Sequence, residues 1–290
     1  MVNVSICIPT YNRREYLGEA LDSCLKQTYK DYEILVVDDG STDGTKEMLS
    51  DLKYDRLRCY DEPHRGQAGA RNRLIELAKG KYITFLDSDD VLVPDVLDRL
   101  VLALDNRDDL ISYGAYLGMD EKGNDIPKKR RKLPEGKIAS ELFSFIYVHS
   151  CGTLFPKKAI ESVGGFDVSF RRCHFYKMLL ELSLKYEFIP VEGITYKKRR
   201  HSSNNDRTYI NTKTELQVLE NFYYNLGGKD VIPESVAAER LAKEKYRVAK
   251  CALKEKNPSE ARRLFRESFR SKPKLKTFLY WAMSLRLSNK

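Results

Sequence analysis

The apolar run Tyr82-Ile83-Thr84-Phe85-Leu86 leads straight into Asp87-Ser88-Asp89-Asp90. Carboxylates at the end of a buried strand are costly unless something positive sits on them. A hard divalent cation held by oxygen ligands is the usual solution. With a strand's period of two, Asp87 and Asp89 face one side and Ser88 the other. A bend after the strand then brings both carboxylates onto one ion. A structural reading stands beside this one: the same four residues, placed before Val91-Leu92-Val93-Pro94, have the composition of a helix cap.

The segments around this run fix the fold class. Val4–Ile8 reads as a strand and Tyr16–Gln27 as a helix; Glu33–Val37 reads as the next strand. Residues 39–44 form a turn, with Ser41 or Thr42 capping a helix that reaches Leu52. Leu57–Tyr60 is a short strand, Gln67–Ala78 a helix, and Lys81–Leu86 the strand that meets the carboxylates. Strands alternating with helices predict an α/β domain with a mostly parallel sheet, whose ligands lie at the carboxyl ends of the strands. Every polar cluster named here falls at such an end.

Beyond it, Leu110–Met119 reads as a strand, 121–124 as a turn, Lys128–Lys132 as an exposed basic loop and Tyr176–Tyr186 as a helix. From Glu234 to Leu287 the pattern is helical, broken at Asn257-Pro258 and near Pro273. Ala249, Ala252, Pro258, Ala261, Leu264, Phe265 and Phe269 predict a helical hairpin with small residues at its crossing, like one tetratricopeptide-style unit. The expected division is a nucleotide-binding subdomain over 1–110, an acceptor-binding subdomain over 111–210 and a helical region over 211–290. Six scattered cysteines with no CxxC pair read as small buried side chains in a reducing cytosol, not a disulfide frame or a zinc site. No long apolar stretch suits a membrane span, and Val4–Ile8 runs into Pro9 too soon for a signal peptide. The expected location is the cytoplasm, with the inner face of a membrane as the alternative.

Neither common phosphate loop is present: there is no GxGxxG after the first strand and no GxxxxGK[ST]. Instead Pro9-Thr10-Tyr11-Asn12-Arg13 follows the first strand, and Asp38-Asp39 ends the second, where a carboxylate can accept hydrogen bonds from a base or ribose. Arg71, between Ala70 and Asn72, is placed to meet a phosphate or a carboxylate. This inventory fits a nucleotide diphosphate held by side chains and one metal.

Taken in order, these segments resemble a family 2 glycosyltransferase of the GT-A fold. The resemblance rests on Val4 to Arg13, on Ile34-Leu35-Val36-Val37-Asp38-Asp39-Gly40-Ser41-Thr42-Asp43, on Gly66 with Ala70-Arg71-Asn72, and on Tyr82 to Asp90. Gly164-Gly165-Phe166-Asp167 and the segment from Arg199-Arg200-His201 to Asn204 extend it to about residue 205. It implies an inverting sugar transferase using a nucleotide sugar, most simply a UDP-sugar, and an acceptor that is a glycan or lipid-linked. Pro9, Thr10, Tyr11, Asp38 or Asp39, Arg71 and Ser88 would line the donor site. Asp87 and Asp89 would form the metal-binding DxD motif for Mn2+ or Mg2+, with Asp89 nearest the ion. His201 would contact the diphosphate or the metal, while its basic neighbours from Lys197 to Arg200 read equally as a surface loop.

One motif departs from the pattern. In the family the proton-accepting carboxylate comes from a Glu-Asp pair about seven residues after Gly-Gly-Phe-Asp, at the start of a helix. Here those positions hold His174 and Phe175, and phenylalanine accepts no proton. Three readings follow. His174 serves as base through a neutral imidazole; Asp167 or another carboxylate moves in; or the chain is catalytically impaired, by natural divergence or deliberate replacement. The last shades into a reading from another class, a donor-binding or scaffold protein without turnover.

The formal charge of +9 gathers at 128–132, at 197–200 and along the helices from Arg240 to Lys276. No nucleic-acid-binding pattern accompanies it, so attraction to an anionic membrane is the expected consequence. The closing run Phe278–Leu285 either packs as buried helix or lies at a membrane interface.

Overall fold

A computed structural model describes residues 2–127, 131–201 and 208–285. The chain divides into two compact units, one of Met1–Ile138 with Tyr147–Asn204, the other of Ala139–Ile146 with Asn205–Lys290.

The first unit is built on one mixed sheet. β1 (Val4–Thr10), α1 (Arg14–Leu25), β2 (Tyr32–Asp38), α2 (Thr45–Ser50), β3 (Leu57–Asp61), α3 (Gly66–Leu77) and β4 (Tyr82–Phe85) come in the order expected. Every residue of β1, β2 and β4 is buried, because strands covered on both faces carry continuous rather than alternating apolar runs. Ile6, Ile8, Ile34 and Val36 pack on Leu17 and Leu21 of α1. The alternate residues Cys7, Leu35 and Val37 point the other way, where α3 lies against β1 and β2.

The remainder is β5 (Val91–Leu92), α4 (Val96–Leu104), β6 (Leu110–Met119), β7 (Asp125–Ile126), α5 (Ala139–Ser144, in the second unit), β8 (Thr153–Pro156), α6 (Lys157–Glu161), α7 (His174–Ser183) and β9 (Glu187–Arg199). The sheet order is β3-β2-β1-β4-β8-β6-β9-β5, with β7 on β6. β1/β2, β2/β3, β1/β4 and β6/β9 are parallel; β4/β8, β6/β8, β6/β7 and β5/β9 are antiparallel. The first-half strands β3-β2-β1-β4 are all parallel, as expected; the whole sheet is mixed because β8 enters antiparallel between β4 and β6. It also runs on past residue 110, so the two subdomains expected on either side share one sheet.

Two capping expectations are corrected. Asp87–Asp90 caps no helix: β5 follows it, and α4 begins only at Val96. α2 starts at Thr45, and Asp43 does the work expected of Ser41 or Thr42, its carboxylate accepting Thr45 N and Oγ1 at 3.1 and 2.5 Å. Of the cysteines, Cys7, Cys24 and Cys151 are buried, Cys173 and Cys251 half-buried and Cys59 exposed, so the expectation of burial fails at Cys59 on the short strand β3.

The second unit is helical: α5, α8 (Tyr209–Asn225), α9 (Gly228–Val231), α10 (Glu234–Lys254), α11 (Pro258–Ser271) and α12 (Leu275–Leu285). Asn257 caps α11 by accepting Glu260 N, and Pro258 occupies the first turn, where its missing N–H costs nothing. Ala249, Ala252 and Ala261 are fully buried, which lets α10 and α11 approach closely. Leu219, Phe222, Leu264 and Phe265 complete the core. Buried Glu244 is held by Arg240 and Arg247, both of which also reach Glu215.

Candidate active site

The carboxyl ends of β1, β2 and β4 open onto a cleft of about 630 Å³. Pro9, Thr10 and Tyr11 line it from the end of β1, Asp39 from the end of β2, and Asp87, Ser88, Asp89 and Asp90 from the turn after β4. Asp90 N donates to Asp87 O at 3.0 Å, so this segment is a turn, not a continued strand. Strand alternation therefore fails here, and Ser88 reaches the cleft with its neighbours instead of facing away.

Each acid has its own partner. Asp87 Oδ1 accepts Arg71 Nη2 at 2.6 Å. Asp89 Oδ2 lies 2.8 Å from Nε2 of His201, whose ring stacks on Tyr16 with centroids 5.7 Å apart. Asp90 accepts Arg199 N at 2.9 Å and the Cys151 thiol at 3.5 Å. Burial tends to raise the Asp87 pKa, but Arg71 and Lys198 outweigh it and hold that carboxyl below the ordinary range. Burial, then the charges of Asp87 and Asp89, push Asp90 well up. A cation would relieve that crowding.

Asp87, Asp90 and Cys151 bring one ligand atom each within 4.8 Å of one another. Oxygens dominate the surroundings and suit a hard divalent cation, so the residues fit the metal that the sequence implies. Cys151 is thus a neighbour of the cluster that its scattered position in the sequence did not announce.

Arg71 is buried against the rings of Phe166 and Phe85, its guanidinium carbon 5.5 and 6.0 Å from their centroids. It does not line the cleft; its task is to hold Asp87. Asp38 does not line the cleft either. Its Oδ1 accepts Ser41 N and Oγ, while its buried Oδ2 has no partner. Asp39 accepts Arg65 N and Gly66 N at 2.7 and 2.9 Å, and its carboxylate lies 2.9 Å from His64 Nδ1. Tyr11 packs over His64, with ring centroids 4.6 Å apart, at the rim of the cleft. Buried Thr10 Oγ1 lacks a hydrogen-bond partner.

The residues from 197 to 199 belong to β9, which corrects their reading as a surface loop. Buried Arg199 donates Nε to Asp89 O at 3.0 Å and Nη1 to the carbonyls of Asp120 and Glu121, and pairs through Nη2 with Glu19. It clamps the acidic turn and also borders the cleft. Lys198 lines the cleft. Burial works against its charge, yet Asp87 and Asp90 prevail and its pKa is raised. Arg13, Gly66, Gln67, Ala70, Arg171, Arg172 and Arg199 line the cleft as well. That Lys198 and Arg199 belong to a strand beside the cleft was hidden in the sequence because a run of basic residues reads alike in a strand and in a loop. The remainder of that motif, 202–204, lies outside the described residues, as do 128–130 of the expected basic loop.

Neither His174 nor Asp167, the residues weighed as base, lines the cleft, and neither does Phe175 at the position where the family has its carboxylate. His174 is buried beneath Gln67, with Nε2 3.3 Å from Gln67 Oε1 and Nδ1 unpartnered. Burial first, then Arg71, drops its pKa from 6.5 to about 4. Phe175 turns its ring edge-on to Phe155, centroids 6.3 Å apart. Asp167 accepts Ser169 N and Oγ and lies 3.6 Å from Lys177 Nζ, contacts that lower its pKa. The Gly-Gly-Phe-Asp segment has a structural role: Asn72 exchanges two 2.8 Å hydrogen bonds with the Phe166 backbone. A Cβ on Gly165, whose φ is +73°, would meet Asn72 Oδ1 at 2.8 Å.

A sheet whose strand ends present an acidic turn and several cations is an α/β fold with its polar groups gathered where such folds bind ligands. The fold agrees with S. aureus TarS, solved with UDP, at a TM-score of 0.70 and 19% identity over 99% of this chain and 88% of that one. It also agrees with the mannosyltransferase PcManGT from Pyrobaculum calidifontis, solved with GDP-Man and Mn2+, at a TM-score of 0.55 and 19% identity over 98% and 80%. The fold is GT-A. Residues 5–164 match the profile of glycosyl transferase family 2, and the chain belongs to that family. It is 33% identical to an uncharacterized glycosyltransferase of Rickettsia conorii over 79% of this chain and 39% of that protein. It is 31% identical to chondroitin synthase of Escherichia coli over 84% and 34%. The chain thus spans well under half the length of either relative.

Proposed function

We propose that the cleft binds a nucleotide-diphosphate sugar, a UDP-sugar in the simplest case, with Mn2+ or Mg2+ at the acidic turn. The sugar passes to a glycan or lipid-linked acceptor with inversion. The observation that carries this reading is the convergence of Asp87, Asp89 and Asp90 with Lys198, Arg171 and Arg172 on one cleft that has no glycine-rich phosphate loop. The nucleotides bound in the two solved neighbours support it.

In this reading Thr10, Tyr11 and Asp39 hold the nucleoside end. Asp87 and Asp89 offer oxygens to the metal, with His201 beside Asp89, while Arg71 and Arg199 keep the turn in shape. A divalent cation held by Asp87 and Asp89 would supply neutralisation of the charge that gathers on the diphosphate leaving group. Lys198, kept protonated by its acidic neighbours, adds a second positive group on the same side.

Transfer joins an acceptor oxygen to the anomeric carbon, leaves the old bond's electron pair on the nucleoside diphosphate, and frees one proton. A general base works best with a pKa near the working pH. His174 at about 4 and Asp167 below the ordinary carboxylate range are weak ones, and Phe175 is none. That observation supports a second reading, in which the chain binds the donor without efficient turnover, by natural loss or by engineering, and serves as a binding or scaffold protein.

Calorimetry with UDP and a small panel of UDP-sugars, with and without Mn2+, tests the first step. Metal-dependent binding that disappears in Asp89→Ala is expected; no binding to any nucleotide would remove the transferase reading. The double change His174→Glu with Phe175→Asp then separates the two readings. Donor hydrolysis or transfer that appears only in this variant means a competent site lacking its base. A variant that binds donor and stays silent favours the scaffold.

A further inference from the structure

Helix α12 is amphipathic the wrong way round for a soluble protein. Its buried positions are the small polar residues Thr277 and Ser284. At 100° per residue, Leu275, Leu279 and Met283 fall together on the opposite side, flanked by Phe278 and Leu285. Leu275, Leu279 and Met283 are 74%, 51% and 62% exposed. Contiguous apolar surface of this kind marks a site for a partner or a membrane.

Charge selects the occupant. Between Arg262 and Lys276 the chain carries seven Lys and Arg against a single Glu. Arg266, Arg270, Lys272, Lys274 and Lys276 are all exposed. A second copy of the chain would bring like charges together across any such face. An anionic bilayer takes both features, since apolar side chains enter the acyl boundary while lysines and arginines meet the headgroups. We infer that α12, with the basic residues leading into it, is a docking surface for an anionic lipid membrane, lying in the interface and not crossing it. Among the described residues no helix is long and apolar enough to cross. The inference rests on the second unit alone and stands or falls apart from the sugar-transfer reading.

The test is co-sedimentation of the full chain with vesicles of phosphatidylcholine alone and of phosphatidylcholine with about one third phosphatidylglycerol. Binding to the anionic vesicles only, weakened at least about tenfold by 0.5 M NaCl, is expected. Leu279→Glu with Met283→Glu changes exposed positions, so the melting temperature and UDP binding are expected to hold while vesicle binding falls at least about tenfold. Lys272→Gln, Lys274→Gln and Lys276→Gln together are expected to weaken binding and reduce its salt dependence. No binding to anionic vesicles overturns the inference. So does binding that the double Glu variant leaves intact, which would be charge adsorption without the helix. Sedimentation equilibrium supplies the last check: a dimer of the parent chain that the same variant dissolves would assign the face to a second copy.

Discussion

The two ends of the central sheet handle buried charge in opposite ways. At the amino end, Glu33 on β2 is fully supplied: Oε1 accepts Ser5 Oγ at 2.6 Å and Lys79 N at 2.7 Å, and Oε2 pairs with Arg58. Ser5 Oγ in turn accepts Gly80 N at 2.9 Å. Burial pushes the Glu33 pKa up, but these partners win and it lies low. At the carboxyl end of the same strands, Asp90 is pushed well up by burial and by its acidic neighbours. Thr10 Oγ1, Asp38 Oδ2, Arg71 Nε and His174 Nδ1 are buried there without partners. Native proteins leave few such groups unsatisfied. Four of them gather at the carboxyl end, whereas at the amino end the buried carboxylate is fully supplied and only the Tyr82 hydroxyl lacks a partner among the described residues; the contrast separates groups kept for binding from groups kept for stability.

Substitutions at the two ends therefore belong to different assays. The largest effect is expected from Asp89→Ala, with UDP affinity in Mn2+ down at least about a hundredfold and a melting temperature that does not fall, since one of three crowded carboxylates is gone. Calorimetry and a thermal melt on the same preparation check both halves. Glu33→Gln should do the reverse: removing one partner of a buried pair costs about 3 kcal/mol in denaturant unfolding, while UDP affinity of the folded protein holds. Gly80→Ala comes next, at about 2 kcal/mol. Its Cβ would meet Ser5 N at 2.6 Å and Val4 C at 2.8 Å, both backbone atoms that cannot step aside. Unchanged stability in Glu33→Gln together with lost nucleotide binding would abolish the distinction.

Much of this contrast was legible in the chain itself. The buried strands showed as the largely apolar runs Val4–Ile8 and Glu33–Val37, and the acidic turn stood out because Asp87–Asp90 ends one. β5 and β7 could not be read, since two residues carry no period. β9 was lost because Pro190, Gly193 and four consecutive basic residues look like a loop until β6 is laid beside it. The division of labour within the site was hidden as well. Asp38 and Asp39 are adjacent and alike, yet one lies beneath the Ser41 turn and the other faces the cleft, a difference that only the packing of His64 and Gly66 decides. Likewise nothing about Arg71 in the sequence says that two aromatic rings hold it away from the cleft.

The smallest effect expected is a pH dependence at the boundary between the two kinds of group. His174 sits at the binding end but faces inward, and its folded pKa of about 4 lies below the ordinary 6.5. Between those values the unfolded chain takes up a proton that the folded chain refuses. Stability is then highest above 6.5, declines as the pH falls through the window, and levels off below about 4. From pH 7 to pH 5.5 the loss comes to about 1 kcal/mol. His174→Leu removes the group from both states, so its unfolding free energy should lack this slope while its UDP affinity is kept. Urea melts of the two proteins at both pH values measure the difference directly. Equal slopes would mean that the imidazole takes its proton in the folded state, which would return His174 to the groups kept for binding.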